Sequence, residues 1–201
     1  MMKIISFYFS IKMLFIIYIP VALIFCFIKR KNKHNNEKHT LNYYLFYIFY
    51  AMVLVDVVVL PITIVYGASP EEIQSMIGDS WRNIQLIPFE SIRYEMTYQW
   101  GWVQIFGNFI LLIPFAVWQL FKEGRSAVKV LLISASLSIV IELQQLLNNY
   151  LTKYPSHAID IDDVILNVTG VIAAILFYKY VWKKIKANSK ACGGDNSEAK
   201  E

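Results

Sequence analysis

The 201-residue sequence has few charged residues and little glycine or proline, and each shortage excludes a class of protein. Asp, Glu, Lys and Arg make up 17% of the chain, against about 25% in soluble domains. Eight glycines and six prolines are too few for a collagen-like or low-complexity chain. Hydrophobic residues instead make up 57% of the chain, and the mean hydropathy is +0.45. This balance is typical of a membrane protein.

Cysteines and catalytic motifs are also scarce. The two cysteines, Cys26 and Cys192, lack the spacing of a metal site and cannot form a disulfide framework. No nucleophile elbow, P-loop or zinc-protease motif occurs, so no cofactor is firmly implied. The net charge of +4 is too small for a dedicated nucleic-acid binder, and no basic stretch is interleaved with aromatic residues and glycine. We therefore expect the lipid bilayer as a partner and no nucleic acid.

Five apolar segments approach the roughly 20 residues that a helix needs to cross a bilayer. They cover residues 7–28, 43–66, 103–121, 128–147 and 164–182. We expect an all-α membrane protein, a bundle of about five transmembrane helices with a long extracytoplasmic loop between helices 2 and 3. Residues 1–186 would form a single membrane domain. The polar residues 187–201 would form a disordered cytoplasmic tail.

The basic residues predict the orientation of these spans. Fourteen of the 19 Lys and Arg residues fall in three places: between the first two spans, between the third and fourth, and at the C-terminal end. Cytoplasmic loops carry such an excess of positive charge. We therefore expect an extracytoplasmic N-terminus, a cytoplasmic C-terminus, and segments 67–102 and 148–163 on the outside of a multi-pass cell-membrane protein.

Polar side chains occur at a similar depth in the last three spans. Asn108, Glu142 and Asn167 each lie three to five residues from the outer end of a span, about 5–8 Å deep at 1.5 Å per residue. Each belongs to a polar helix face, and these faces also include Gln145, Asp163 and Gly170. Ionisable groups at such depths are costly, so we expect the faces to turn inward around a polar pocket that opens outward. The alternative for Glu142 is a structural ion pair with an arginine of the outer segment.

An acidic run, Asp160, Asp162 and Asp163, precedes the last span, with His157 close by in sequence. Aspartate is a preferred helix N-cap, which accounts for one of the three without any function. Carboxylate oxygens also suit a hard divalent cation such as Mg²⁺ or Ca²⁺. Because the spacing matches no EF-hand or zinc motif, we expect no metal site.

The outer segment 67–102 is too aromatic for a plain polar loop, and its Trp and Tyr residues are typical of the membrane interface. It reads as a lid or re-entrant segment. Its two basic residues, Arg82 and Arg93, are available to pair with acidic neighbours or with a phosphate.

Four linked motifs resemble those of the VanZ family, over about residues 80–177. Leu-Ile-Pro-Phe occurs twice, at 86–89 and 112–115, and a glutamate motif and the acidic run follow. The matching residues are Asn83, Pro88, Phe89, Asn108, Pro114, Phe115, Glu142, Gln145, Asp160, Asp162, Asp163, Asn167 and Gly170. Two departures are Ala116, where the family often has Gly, and Ala158, where an Arg is frequent. The mid-span Pro114 should also kink its helix.

The resemblance implies a bacterial envelope protein whose name-giving relative confers low-level resistance to the glycopeptide teicoplanin. The first hypothesis is a non-enzymatic protein that binds or shields a lipid-linked envelope component, or the glycopeptide, at the outer leaflet. The second is an enzyme that modifies a lipid carrier or cell-wall precursor, with Glu142, Asp162 or Asp163 as base or Mg²⁺ ligand. A small-solute transporter comes third, because no inverted repeat is visible.

Overall fold

The computed structural model describes residues 3–7, 11–31, 38–60, 62–67, 69, 71–72, 75, 84–121, 123–152, 154–182 and 184–185. This part of the chain is mostly helical, as the composition predicts. It also contains two short two-stranded sheets, which the all-α prediction lacked. The predicted tail, residues 187–201, lies outside the described residues, as do Arg82, Asn83 and Cys192. The chain divides into two compact units, which are considered one at a time.

The first unit comprises Met1–Gln85 and Ile141–Asp160. Its helices are α1 (Ile11–Lys31) and α2 (Lys38–Val59), which pack against each other. The ring of Phe49 on α2 lies 5.8 Å from Phe15 and 5.2 Å from Tyr18, both on α1. Strand β1 (Lys3–Phe7) pairs antiparallel with β2 (Ile62–Tyr66). The start of α1 and the end of α2 therefore lie at the same end of this helix pair.

The predicted second span, 43–66, was wrong at its outer end. Helix α2 stops at Val59, and residues 62–66 form a strand instead. Pro61 comes two residues after Val59 in the sequence, and a proline disfavours a helical conformation in the residue before it, Leu60. The sequence Ile-Thr-Ile-Val-Tyr that comes next is β-branched in four of five positions, which favours a strand. Hydrophobicity alone did not separate these two states.

The same unit contains a short parallel pair, β3 (Ile84–Gln85) with β4 (Ile159–Asp160). Ile84 is paired with Ile159 and Gln85 with Asp160. This pairing joins the segment before the first Leu-Ile-Pro-Phe motif to the acidic run, although some 75 residues separate them in sequence. Both residues of β4 are buried.

The second unit comprises Leu86–Val140 and Ile161–Glu201. Its helices are α3 (Glu90–Glu95), α4 (Gly101–Leu111), α5 (Ile113–Phe121), the part of α6 (Ala127–Thr152) up to Val140, and α7 (Ile161–Phe177) with a π-helical turn, Tyr178–Trp182. Helix α7 packs against α4 and α5. The core of the unit contains Leu112, Ala116, Leu120, Val130, Val171 and Ala174.

Three helical stretches are long and apolar enough to cross a membrane. They are Gly101–Phe121, Ala127–Thr152 and Ile161–Trp182, of 21, 26 and 22 residues. They coincide with the last three predicted spans. Apolar side chains on them are widely exposed, including Val103, Leu132 and Leu176, as a lipid-facing surface requires.

The span Gly101–Phe121 is interrupted at Leu112, where α4 ends and α5 begins. Pro114 follows two residues later, and it has no N–H to donate to the carbonyl of Ile110. The helical pattern resumes where the N–H of Ala116 donates to the carbonyl of Leu112 at 3.0 Å. The break therefore occurs where the sequence predicts a kink.

Gly170 lets α7 lie directly against α4. A Cβ atom at this position would collide with the backbone carbonyl of Phe109, and Gly170 itself is buried. Gly107, on α4, is exposed and has open space where a Cβ would be. Gly107 and Gly170 therefore differ in how closely other backbone atoms approach them.

We expect Gly170→Ala to lower the free energy of unfolding by about 2 kcal/mol or more, because a packed backbone must move to admit the methyl group. Gly107→Ala should instead be neutral or raise stability by up to about 1 kcal/mol, as alanine is the better helix former. Thermal unfolding of both variants in the same detergent checks this. Equal stability of the two variants would contradict the close α4–α7 contact.

Candidate functional site

Asp162 holds the beginning of α3 with both of its carboxylate oxygens. The backbone N–H of Phe89 donates to Oδ1 at 2.6 Å, and that of Ile92 donates to Oδ2 at 3.1 Å. Phe89 is the N-cap residue of α3 and lends no side-chain acceptor to the helix. The first N–H groups of a helix have no partner within it, so Asp162 supplies from α7 what a local N-cap usually supplies. The side chain of Asp162 is 1% exposed.

This clamp also fixes an unfavourable backbone conformation. Phe89 has φ +67° and ψ +7°, in the left-handed region that bulky side chains seldom adopt. The Phe89 ring remains 60% exposed, so its own packing does not hold it there. The sequence predicted an aspartate as N-cap of the last span, whereas Asp162 instead caps α3, more than 70 residues earlier in the chain.

The other polar residues of α7 make contacts inside the same unit. The amide nitrogen of Asn108 donates to Oδ1 of Asp163. The amide nitrogen of Asn167 donates to the hydroxyl of Ser138 at 3.0 Å. Asn167, Ser138 and Ser134 are 0–1% exposed, so these polar faces turn inward as their periodicity predicts. The buried Oδ1 of Asn167 and hydroxyl of Ser134 have no hydrogen-bond partner among the described residues.

In the first unit, Glu142 supports the acidic run through the backbone. Its Oε2 accepts a hydrogen bond from the N–H of Asp160 at 3.0 Å, and its side chain is 8% exposed. Strand β4, which contains Asp160, is thereby held both by β3 and by Glu142. Gln145 lies one turn after Glu142 on α6 and has a buried Oε1 with no partner in the described part of the chain.

Two asparagines that sequence analysis missed organise the same region. Asn149 donates to the carbonyl of His157 at 2.7 Å and accepts from its N–H at 3.2 Å. Asn148 donates to the carbonyl of Val59, the last residue of α2, at 3.3 Å. The signal was an Asn-Asn pair directly after the apolar stretch 128–147, within the same helix. Both side chains are buried.

An open cavity of about 550 Å³ lies at the start of the span Gly101–Phe121. Its lining comes from α3, the α3–α4 connection and the first turn of α4, and consists of Tyr94, Glu95, Tyr98, Trp100, Gly101, Val103 and Gln104. The tyrosine rings have centroids 4.7 Å apart, and their hydroxyl groups are hydrogen-bonded. Trp100 is 75% exposed.

Gly101 makes this cavity possible. A Cβ at Gly101 would collide with the backbone carbonyl of Glu95 and would also crowd its Oε2 carboxylate oxygen. With glycine there, Glu95 packs against the N-terminus of α4, where the helix dipole favours negative charge. The sequence predicted an aromatic outer segment, but it did not predict that a carboxylate and an amide would share the cavity with the rings.

The remaining lid residues lie at exposed or helical positions. Pro88 and Arg93 are exposed, the latter in the last turn of α3, whereas Pro114 and Phe115 lie in the first turn of α5. Among the described residues, no group of three or more His, Cys, Asp or Glu side chains could hold a metal ion.

Comparison with protein families decides the classification. The family model described as VanZ/LLP1 matches residues 44–183, well over half of the chain. The chain belongs to the VanZ/LLP1 family. No curated protein and no solved structure gives a significant match.

Hydrogen bonds in the structure give several of the VanZ-like motif residues a structural role. In this VanZ-like protein, Phe89 and Asp162 belong to one clamp, Asn108 and Asp163 to one hydrogen bond, and Glu142 and Asp160 to another. The two departures from the family pattern lie in different surroundings, since Ala116 is completely buried and Ala158 is exposed.

We expect Asp162→Asn to loosen the start of α3, because the amide NH₂ group faces one of two N–H donors and cannot accept its hydrogen bond. Losing one such charge-assisted bond costs about 1.5–3 kcal/mol. Hydrogen exchange of the peptide amides in residues 88–95 should accelerate by about tenfold or more.

The matched control is Asp163→Asn, which removes the same charge one residue away and keeps an oxygen for Asn108. It should leave exchange in residues 88–95 unchanged. Similar acceleration in both variants would assign the effect to lost charge rather than to the clamp.

Proposed function

We propose that this VanZ-like protein binds an outer-leaflet, lipid-linked component of the bacterial cell envelope and, by shielding it, contributes to glycopeptide (teicoplanin) resistance. The observation that carries the proposal is the aromatic cavity at the start of the span Gly101–Phe121. A lipid-linked component has its tail in the bilayer and its head group at the interface. The cavity adjoins a span, so a head group bound there keeps its tail in the membrane.

The lining chemistry suits a polar head group with apolar faces. The rings of Tyr94, Tyr98 and Trp100 offer flat surfaces for stacking, and Trp and Tyr are favoured at the membrane interface. Glu95 and Gln104 add a hydrogen-bond acceptor and an amide at the same site. Pockets that recognise small molecules combine mostly apolar walls with a few polar groups in this way.

We further propose that the cavity faces outward and that the N-terminus does so as well. The basic residues concentrated in three places support this orientation through the positive-inside rule. The β1–β2 pairing is consistent with it, because it requires residues 3–7 and 62–66 to lie on one side. We propose α1 and α2 as two further spans, for a total of five, because their helices are 21 and 22 residues long and contain the apolar stretches Met13–Cys26 and Tyr43–Val59.

The alternative of a membrane enzyme relied on Glu142, Asp162 and Asp163 as base or metal ligands. Each of these carboxylates accepts at least one hydrogen bond. Glu142 accepts from the N–H of Asp160, and Asp163 accepts from the side-chain amide of Asn108. Asp162 accepts from the N–H groups of Phe89 and Ile92. These bonds give the acidic residues a structural task that needs no reaction. We therefore favour binding over catalysis.

The proposal predicts that expression in a susceptible host raises the inhibitory concentration of teicoplanin and that Trp100→Leu reverses most of this increase. Removing an exposed ring deletes a stacking surface worth about 1 kcal/mol or more. Trp102→Leu is the matched control, because Trp102 is exposed next to the cavity but does not line it. An unchanged inhibitory concentration on expression of the original protein would contradict the proposal.

A shielding protein should also leave the chemical composition of its ligand unchanged. We expect identical lipid-precursor profiles by mass spectrometry with and without the gene, and normal resistance in Glu142→Gln, whose amide oxygen still accepts from Asp160. A new precursor species that disappears in Glu142→Gln would instead establish the enzyme alternative.

A further inference from the structure

We infer that the aromatic cavity binds the cationic ammonium group of an organic amine, with Glu95 as its counter-charge. This inference rests on the proposed function and names the part of the ligand that the cavity holds. It is carried by the charge and the ring geometry of the lining.

Among the described residues that line this cavity, Glu95 is the one with a formal charge, and none is Lys, Arg or His. Its side chain is half-buried, and its carboxylate makes no hydrogen bond with the described residues. Arg93 lies only two positions earlier on α3, but at 100° per residue the two side chains point about 200° apart. A ligand in the cavity therefore meets a negative charge without a competing protein cation from α3.

Three aromatic rings line the same cavity as this carboxylate. Tyr94, Tyr98 and Trp100 are 60%, 49% and 75% exposed, so their faces are open to a ligand. Ring faces carry partial negative charge and attract ammonium groups within about 6 Å. The hydrogen bond between Tyr94 and Tyr98 raises the pKa of Tyr98 above its ordinary value, so this phenol adds no negative charge of its own at physiological pH. Rings and carboxylate thus favour the same kind of ligand.

The carboxylate is also held in place. Gly101 leaves room for Glu95 against the N-terminus of α4, and the Asp162 clamp fixes the other end of the six-residue helix α3. A pre-positioned counter-charge loses little side-chain freedom on binding. A sugar would also stack its C–H face on these rings and donate hydroxyl hydrogen bonds to Glu95. It could keep such bonds with a neutral glutamine, whereas an ammonium group would lose its counter-charge, and this difference makes the inference testable.

The test uses the full chain in nanodiscs of phosphatidylglycerol, which contain no amine, and measures choline binding by equilibrium dialysis. The neutral comparison is 3,3-dimethylbutan-1-ol, which has the shape of choline without its charge. We expect choline to bind roughly five- to tenfold more tightly than the alcohol. Equal affinities, or no choline binding, would overturn the inference.

Glu95→Gln should remove this difference by weakening choline binding roughly five- to tenfold. It should bind the alcohol as the original protein does, which verifies that the cavity is still formed. Glu90→Gln removes the same charge from the same helix outside the cavity lining and should change choline affinity less than about twofold. Equal weakening by both variants would overturn the assignment to Glu95.

Two further measurements identify the source of the amine and distinguish the amine site from the proposed role in resistance. Phosphatidylethanolamine added to the nanodiscs will compete with choline if a phospholipid head group is the source, whereas an amine on an envelope precursor requires no such competition. Charge-dependent choline binding with normal teicoplanin resistance in Glu95→Gln would retain the amine site but contradict its role in resistance. If Trp100→Leu loses resistance but the original protein binds choline no more tightly than the alcohol, the role in resistance is retained and the amine site is contradicted.

Discussion

The beginning of α3, and the cavity at its far end, depend on one carboxylate, that of Asp162. Holding Phe89 in the left-handed region costs about 1–3 kcal/mol. Two charge-assisted hydrogen bonds, each contributing about 1.5–3 kcal/mol, offset that cost. Once Phe89 is fixed, α3 begins where it does, and Tyr94 and Glu95 at its far end face the start of α4. A residue that sequence patterns assign to chemistry thus shapes a cavity that it does not line.

The polar residues inside the spans are subject to the same constraint, because a buried polar group needs a hydrogen-bond partner. A hydrocarbon environment leaves no water to satisfy an amide or carboxylate, so each must find a partner on a neighbouring helix. Asn108 with Asp163, and Asn167 with Ser138, are such pairs. Gly170 lets the α4 and α7 backbones approach closely, and the Asn108–Asp163 pair joins the same two helices. These groups are therefore explained by helix association, whereas the exposed Glu95 cavity is not.

Features that depend on hydrophobic composition and helical periodicity could be predicted from the sequence. The last three spans, the kink near Pro114 and the inward polar faces of α6 and α7 all follow from hydrophobicity and helical spacing. Features that depend on long-range partners could not be predicted. The strand at 62–66 required β1, and the cap on α3 required Asp162.

The cavity was the hardest feature to predict, because its components have separate signals. Aromatic residues in the outer segment indicated an interface, but a glutamate in such a segment is usually solvated. Only the collision that a Cβ at Gly101 would cause reveals why Glu95 is held against α4. Gly107, which has open space where a Cβ would be, shows that a glycine in the sequence does not by itself identify such a close approach.

The repeated Leu-Ile-Pro-Phe motif illustrates how strongly tertiary partners decide local structure. In the first copy, Phe89 adopts a left-handed conformation under the Asp162 clamp, and α3 begins after it. In the second, Pro114 and Phe115 lie within the first turn of α5. Identical tetrapeptides thus end in different conformations because only one of them meets a carboxylate. The repeated tetrapeptide therefore gives no support to an internal repeat of the kind that transporters use.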